Sequence, residues 1–263
     1  MKTGLIFINP ISVTRVLTII AVVIVLTSIA WQVVFINYGR MHGLVDLFNV
    51  DRERNIPTAF STFLMLFAAL LLASITLIEK TLKKPASQYW LVLFAGLSFM
   101  ALDEAWSCHE FLISPIRYFL GGKNLGIFFF SWVVAAIPAV VVLALFFSKF
   151  LWHLEPKTRN VFILSAFIYL AGAIGFELIG GRYAEMYGDR GIVYNIFVTL
   201  EETLEMAGII VFIRSLLEYI ADHYNQVQVQ FGHLKGSQPQ LSVYPAEREE
   251  LTIGADSEIA NKV

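Results

Sequence analysis

Seven acidic residues interrupt otherwise apolar stretches of the chain. Asp103, Glu104 and Glu110 lie in Leu102-Asp103-Glu104-Ala105-Trp106-Ser107-Cys108-His109-Glu110, and Glu177 lies in Gly175-Phe176-Glu177-Leu178. Glu201, Glu202 and Glu205 lie in Leu200-Glu201-Glu202-Thr203-Leu204-Glu205-Met206. Carboxylates in such surroundings do one of three things. They ligate a hard cation, they carry protons, or they hydrogen-bond neighbouring helices together. Each charge at the centre of a bilayer costs about 2.5–3.5 kcal/mol on the insertion scale. Seven bare anions in hydrocarbon would exceed the usual stability margin of about 5–15 kcal/mol.

The elements that must position these acids follow from composition. Of the 263 residues, 57% are hydrophobic and 15% charged, and the mean hydropathy is +0.67. Soluble domains have about 25% charged and about 45–50% apolar residues. The composition implies an all-α, polytopic integral membrane helix bundle. Nineteen basic residues against twenty-one acidic ones give no basic excess for nucleic acid. Cys108 is the only cysteine, so there is no internal disulfide and no paired-cysteine zinc motif.

A spanning helix needs about 20 mostly apolar residues. Six windows qualify, at about 13–36, 56–78, 89–113, 125–151, 161–179 and 192–220. The first exceeds a signal peptide's apolar run of about 7–15 residues and is expected to be retained. Lys and Arg are richer on the side holding Lys2, Arg15, Lys80, Lys83, Lys84, Lys149, Lys157 and Arg159. Both termini are therefore expected in the cytoplasm. Residues 1–222 form the transmembrane domain in this reading and 223–263 a flexible cytoplasmic tail. Within that tail only Val227 to Phe231 alternates like a short strand. Trp31, Trp90, Trp132 and Trp152 lie near span ends and read as interfacial anchors.

At about 100° per residue, Asp103, Ser107 and Glu110 form one stripe of the third span, with Glu104 and His109 beside it. Tyr194, Glu201, Glu205 and Gly208 share a stripe of the sixth, with Glu202 to one side. Gly208 would let a neighbouring backbone approach, and Ala171 with Gly175 would do so in the fifth span. Spans three and five carry their acids late and span six early, which puts all three groups at the outer level of the bilayer. Asp51 and Glu53 precede the second span at that same outer mouth.

The leading expectation is one or two divalent metal ions (Zn, Fe, Mn or Ca) held by Glu104, His109, Glu110, Glu177, Glu201 and Glu205. Asp103, Ser107, Glu202 and Tyr194 would orient these ligands or relay protons. Bound metal could activate water or oxygen near the outer headgroups. Against this, Glu104 and His109 are five apart, which is not the Glu-x-x-His spacing of carboxylate-bridged di-metal bundles. The alternatives are a cation- or proton-coupled transporter, and an assembly or scaffold subunit that uses the acids for packing.

The 48–57 segment, the LDEAWSCHE and EETLEMAG blocks and residues 175–181 resemble a family of bacterial multi-span proteins of uncharacterised function. The likeness runs from about Asp46 to Leu217 and implies a bacterial cytoplasmic membrane. Asp103, Ser107 and His109 also resemble part of the Ser, Asp and His set of alkaline ceramidase-like hydrolases, but a further intramembrane pair of histidines has no counterpart. The histidine boxes of membrane desaturases are absent too.

Overall fold

The computed structural model describes residues 8–38, 44–52, 54–227 and 243–245. Glu53, most of the tail and part of the first connection lie outside the described residues. Contacts divide the chain into two units, Met1–Ile220 and Ala221–Val263.

The first unit is helical. Its main elements are α1 (Pro10–Tyr38), the short α2 (Leu44–Phe48), α3 (Ile56–Thr81) and α4 (Ser87–Trp106). They are followed by α5 (Ile113–Phe119), α6 (Val133–His153), α7 (Pro156–Leu170), α8 (Glu177–Tyr187) and α9 (Ile192–His223). Helix α9 runs three residues into the second unit. There β1 (Tyr224–Val227) pairs antiparallel with β2 (Val243–Pro245), so the all-α expectation gains one short strand pair. The strand begins three residues earlier than alternation suggested, and residues 228–231 lie outside the described ones.

Among the described residues, four helices are long and apolar enough to cross a membrane: Pro10–Val34, Ile56–Thr81, Val133–His153 and Pro156–Tyr187. A fifth candidate is the pair Ser87–Trp106 and Cys108–Phe119, bent by 80°. The longest helix, α9, is not in this set. Glu201, Glu202, Glu205, Arg214 and Glu218 spread along its length, and their charge offsets the apolar residues between them.

Helix α3 forms the centre of the packing. Its buried face repeats every three or four residues through Ser61, Leu64, Met65, Ala68, Leu72, Ile75 and Glu79. Asn55 caps it by accepting from the Thr58 N–H at 3.2 Å, and Pro57 sits in the first turn, where its missing N–H costs nothing. The Asn55 amide also donates to the Asn49 carbonyl at 2.6 Å, tying the preceding loop to the helix start. Helix α1 contributes the narrow stripe Thr14, Leu17, Ala21, Ile24 and Ser28, while Val16, Ile19, Val23 and Leu26 on its other faces are exposed. Ser28 accepts from the Val50 N–H at 3.1 Å, and Gln32 reaches the Thr199 hydroxyl of α9 at 3.4 Å.

Three expectations are corrected here. The third span is not one helix: α4 ends at Trp106 and Ser107 takes the left-handed conformation, φ 51°. A short 3-10 turn, Cys108–Leu112, follows after the bend, so Asp103, Ser107 and Glu110 share no helical stripe. Trp90 is fully buried, with Phe150, Phe162 and Tyr219 around its ring at centroid distances of 5.1, 6.0 and 4.8 Å. It is a core residue, not an interfacial anchor. Trp152 is 73% exposed with Arg159 stacked 4.6 Å from its ring, as an interfacial residue would be.

Candidate functional site

The fifth window is a single helical run, Pro156–Tyr187, that changes its winding midway. Residues Ala171–Phe176 form a π turn between α7 and α8. In an ordinary helix Gly172 and Glu177, five apart, would point about 140° apart. The wider π turn brings both onto the side facing α9. A Cβ on Gly172 would lie 2.7 Å from the Glu201 carbonyl and 3.1 Å from the Glu205 side chain. The Glu177 and Glu201 carboxyls lie within hydrogen-bonding reach of each other.

Gly208 completes this contact. A Cβ there would meet the Tyr169 backbone N at 2.7 Å and Cβ at 2.8 Å, so α7 and α9 cross at backbone distance as the sequence implied. The partner contact is made by Gly172 and not by Gly175, whose nearest neighbour lies 3.9 Å away within its own helix. The close crossing brings the Tyr169 hydroxyl near the Glu205 carboxylate, close enough for the two to interact. Glu104, from α4, acts electrostatically on Tyr169, Glu202 and Glu205. The largest charge effects on Glu201 and Glu202 come from other carboxylates. Three helices therefore bring Glu104, Glu177, Glu201, Glu202 and Glu205 into one half-buried cluster.

Around the bend at Ser107 the arrangement differs from a ligand set. Asp103 accepts from the His109 backbone N–H at 2.7 Å and from its ring, Nδ1 to Oδ2, at 2.9 Å. The carboxylate therefore caps the 3-10 turn and fixes the imidazole. The His109 ring packs on Trp132 at 4.8 Å, and Trp132 donates its indole N–H to Glu177 at 2.7 Å. Trp132 thus belongs to the acid cluster. Asp103, His109, Trp132, Glu177 and Glu201 form a continuous path from the bend to α9. Glu110 is exposed on the turn, near enough to act electrostatically on Glu177 and His109. The Ser107 hydroxyl is buried without a hydrogen-bond partner.

In the loop before α3, Asp51 acts electrostatically on Tyr194 and Glu202, and Tyr194 in turn lies near Glu177 and Glu201. Partial enclosure in the loop pushes the Asp51 carboxyl up to about 6, opposed by Arg52 and helped by Asp189. Glu53 lies outside the described residues.

Among the described residues, no group of three or more His, Cys, Asp or Glu side chains is placed to hold a metal ion. The acids instead have one or two partners each: Glu177 with Glu201 and Trp132, Glu205 with Tyr169, Asp103 with His109. Two participants went unread in the sequence. Tyr169 and Ser61 are single polar groups in apolar windows, and their only signal is that they lie on the faces their helices bury. Glu79, near the C-terminal end of α3, was also unread; it is 1% exposed and receives Lys84 Nζ at 3.1 Å.

The model of a family described as a domain of unknown function, DUF8692, matches residues 16–219. No curated protein and no solved structure matches the chain.

Proposed function

The chain belongs to the DUF8692 family, and we propose that it is a proton- or cation-coupled membrane transporter whose ion-binding station is the carboxyl cluster. In this reading α9 is the sixth span and the bent α4–α5 pair the third. The helices lie in a bacterial cytoplasmic membrane with both termini inside and the cluster opening outward. The observation that carries the reading is the convergence of the carboxyls where Gly172 lets α9 approach, with the Trp132 indole N–H on Glu177 at 2.7 Å and Glu201 within reach of it. Two carboxyls hydrogen-bond to each other only with a proton between them, because like charges at that distance do not both ionise. Glu104, Glu202 and Glu205 stand close by and are subject to the same repulsion. Such a cluster takes up and releases cations in response to conditions at its mouth.

A proton arriving from the outer side would meet Asp51 and Tyr194, or Asp103 and His109, before the central glutamates. The test is a pH jump on proteoliposomes adsorbed to a supported membrane. The wild type is expected to give a transient charge displacement that Glu201→Gln with Glu205→Gln removes. Absence of the current, or an equal current in the double variant, contradicts the reading.

Convergence of five carboxyls from three helices also favours a second reading, a metal-dependent membrane protein. Bound divalent metal would neutralise the same charges, with Glu104, Glu177, Glu201 and Glu205 as the available ligands. Elemental analysis of detergent-purified protein separates the two. About one or two equivalents of metal, lost in the same double variant, would support metal binding.

A further inference from the structure

Helix α5 and the 3-10 turn before it carry an apolar face that no described residue covers. Phe111, Leu112, Tyr118 and Phe119 are exposed, and their spacing sets them on one side of the run Cys108–Phe119. The opposite side is pinned. The Ile113 carbonyl accepts from the Ser131 hydroxyl at 2.8 Å, and Arg117 donates to the Phe129 carbonyl with its guanidinium 4.7 Å over the Phe129 ring. Residues 129–131 lead directly into α6, which begins at Val133. The run is therefore held at the level where α4 ends and α6 begins. Helix α4 has 20 residues, about 30 Å at 1.5 Å per residue, which matches the hydrocarbon core. A rod leaving its end at 80° runs along the membrane plane and not through it. The exposed stripe of α4, Leu91, Val92, Phe99 and Leu102, closes with exposed Trp106 just before the bend, so apolar surface continues on both sides of Ser107. Trp106 and Tyr118 join an apolar ring to a polar atom, as side chains favoured at the headgroup level do. Lys123, exposed just beyond the run, adds a cation where lipid phosphates lie.

We propose that the run Cys108–Phe119 is an interfacial element whose aromatic face docks into the headgroup–acyl boundary of the bilayer. The leaflet is the one at this end of the bundle, the outer one in the proposed orientation. The third span then consists of α4 alone. This rests on the reading of α4 and α6 as membrane-crossing helices and is independent of what the cluster binds. Docking fixes the height of the bend, and with it Asp103 in the last turn of α4 and His109 just beyond. The mouth of the cluster on this side thus opens into the headgroup layer.

Site-directed spin labelling tests this on the full-length chain in phosphatidylcholine–phosphatidylglycerol vesicles, in a Cys108→Ser background. Nitroxides are placed singly in Phe111→Cys, Tyr118→Cys and Phe119→Cys. The references are Lys123→Cys and Val142→Cys, the latter at an exposed position midway along α6. Oxygen concentrates among acyl chains and a neutral nickel chelate in water, so the ratio of their relaxation effects reads depth. The three face positions are expected to favour oxygen, at about 5–10 Å into the headgroup–acyl boundary. Val142→Cys should read deeper, and Lys123→Cys should favour nickel. Face positions that favour nickel, that are closed to both reagents as beneath a protein partner or second copy, or that read as deep as Val142→Cys overturn the interfacial docking. An oxygen-favouring Val142→Cys beside any of these results leaves the membrane-crossing reading standing, and nickel access there overturns both. In the unsubstituted chain, phosphatidylcholine with a diazirine high in its acyl chain is expected to label peptides within 111–119. Photolabelling confined to other helices contradicts the docking.

Discussion

Gly208 and Tyr169 set how near α7 and α9 can come, and the Tyr169–Glu205 interaction depends on that distance. A methyl group at position 208 would sit 2.7–2.9 Å from Tyr169 main-chain and Cβ atoms, with no flexible side chain able to yield. Gly208→Ala is therefore expected to destabilise the bundle by about 1–3 kcal/mol, read as a lowered thermal midpoint in detergent. It should also reduce the pH-jump current by pushing Tyr169 off Glu205. In the loop before α3, Asp51 gives a pH dependence whose sign can be worked out. Its folded-state value of about 6 lies above the ordinary 3.8, so the folded chain holds a proton that the unfolded chain has released. Stability should decline as pH rises from about 4 to about 6, only slightly because Asp51 stays partly exposed. Asp51→Asn should flatten that decline in a series of thermal melts, and an unchanged slope would assign it to other groups.

At the scale of elements, the π turn at Ala171–Phe176 and the bend at Ser107 place the acids. Removing Ala173 would turn the π turn into ordinary helix and leave Gly172 and Glu177 four apart, about 40° from each other, so that Glu177 keeps its side toward Glu201 and Trp132. The shortened chain is expected to fold and to keep the charge displacement that Glu177→Gln removes; a lost current would mean that the extra residue of the π turn is itself required. Neither irregularity was legible from spacing. Periodicity assumes constant winding, so it placed Glu201, Glu205 and Gly208 on one face correctly, because α9 is unbroken from Ile192 to His223. It failed for Asp103, Ser107 and Glu110, because a left-handed serine ends α4 between them. The run Ala171-Gly172-Ala173-Ile174-Gly175 carries too little side-chain bulk to reveal its own winding. Hydrophobicity identified the helices well, since it depends only on composition. The partners of the acids, Tyr169 and Trp132, depend on which helices adjoin, and a single sequence does not fix that.

Over the whole molecule, the exposed surface is apolar to an extent that a water-soluble chain would not tolerate. Phe119 is 84% exposed, Tyr118 80%, Phe111 76% and Leu145 70%, among many exposed Leu, Ile, Val and Phe side chains. That surface is compatible with an acyl-chain environment, and the glutamate cluster is drawn from α4, α8 and α9. In the proposed orientation, the loop at Gly121 and Gly122 faces outward and that at Lys83 inward. In a Cys108→Ser background, a membrane-impermeant thiol reagent should label Gly122→Cys in intact cells and Lys83→Cys only after lysis. The reverse pattern would invert the topology and put the cluster on the cytoplasmic side.

The account depends on the five glutamates sharing a chamber in which some of them hold protons. Infrared spectroscopy of the purified protein at neutral pH reads this directly. The predicted result is a protonated-carboxyl C=O band that shifts in D₂O and is lost in Glu201→Gln. A spectrum of ionised carboxylates only, or a band untouched by both Glu177→Gln and Glu201→Gln, would contradict it.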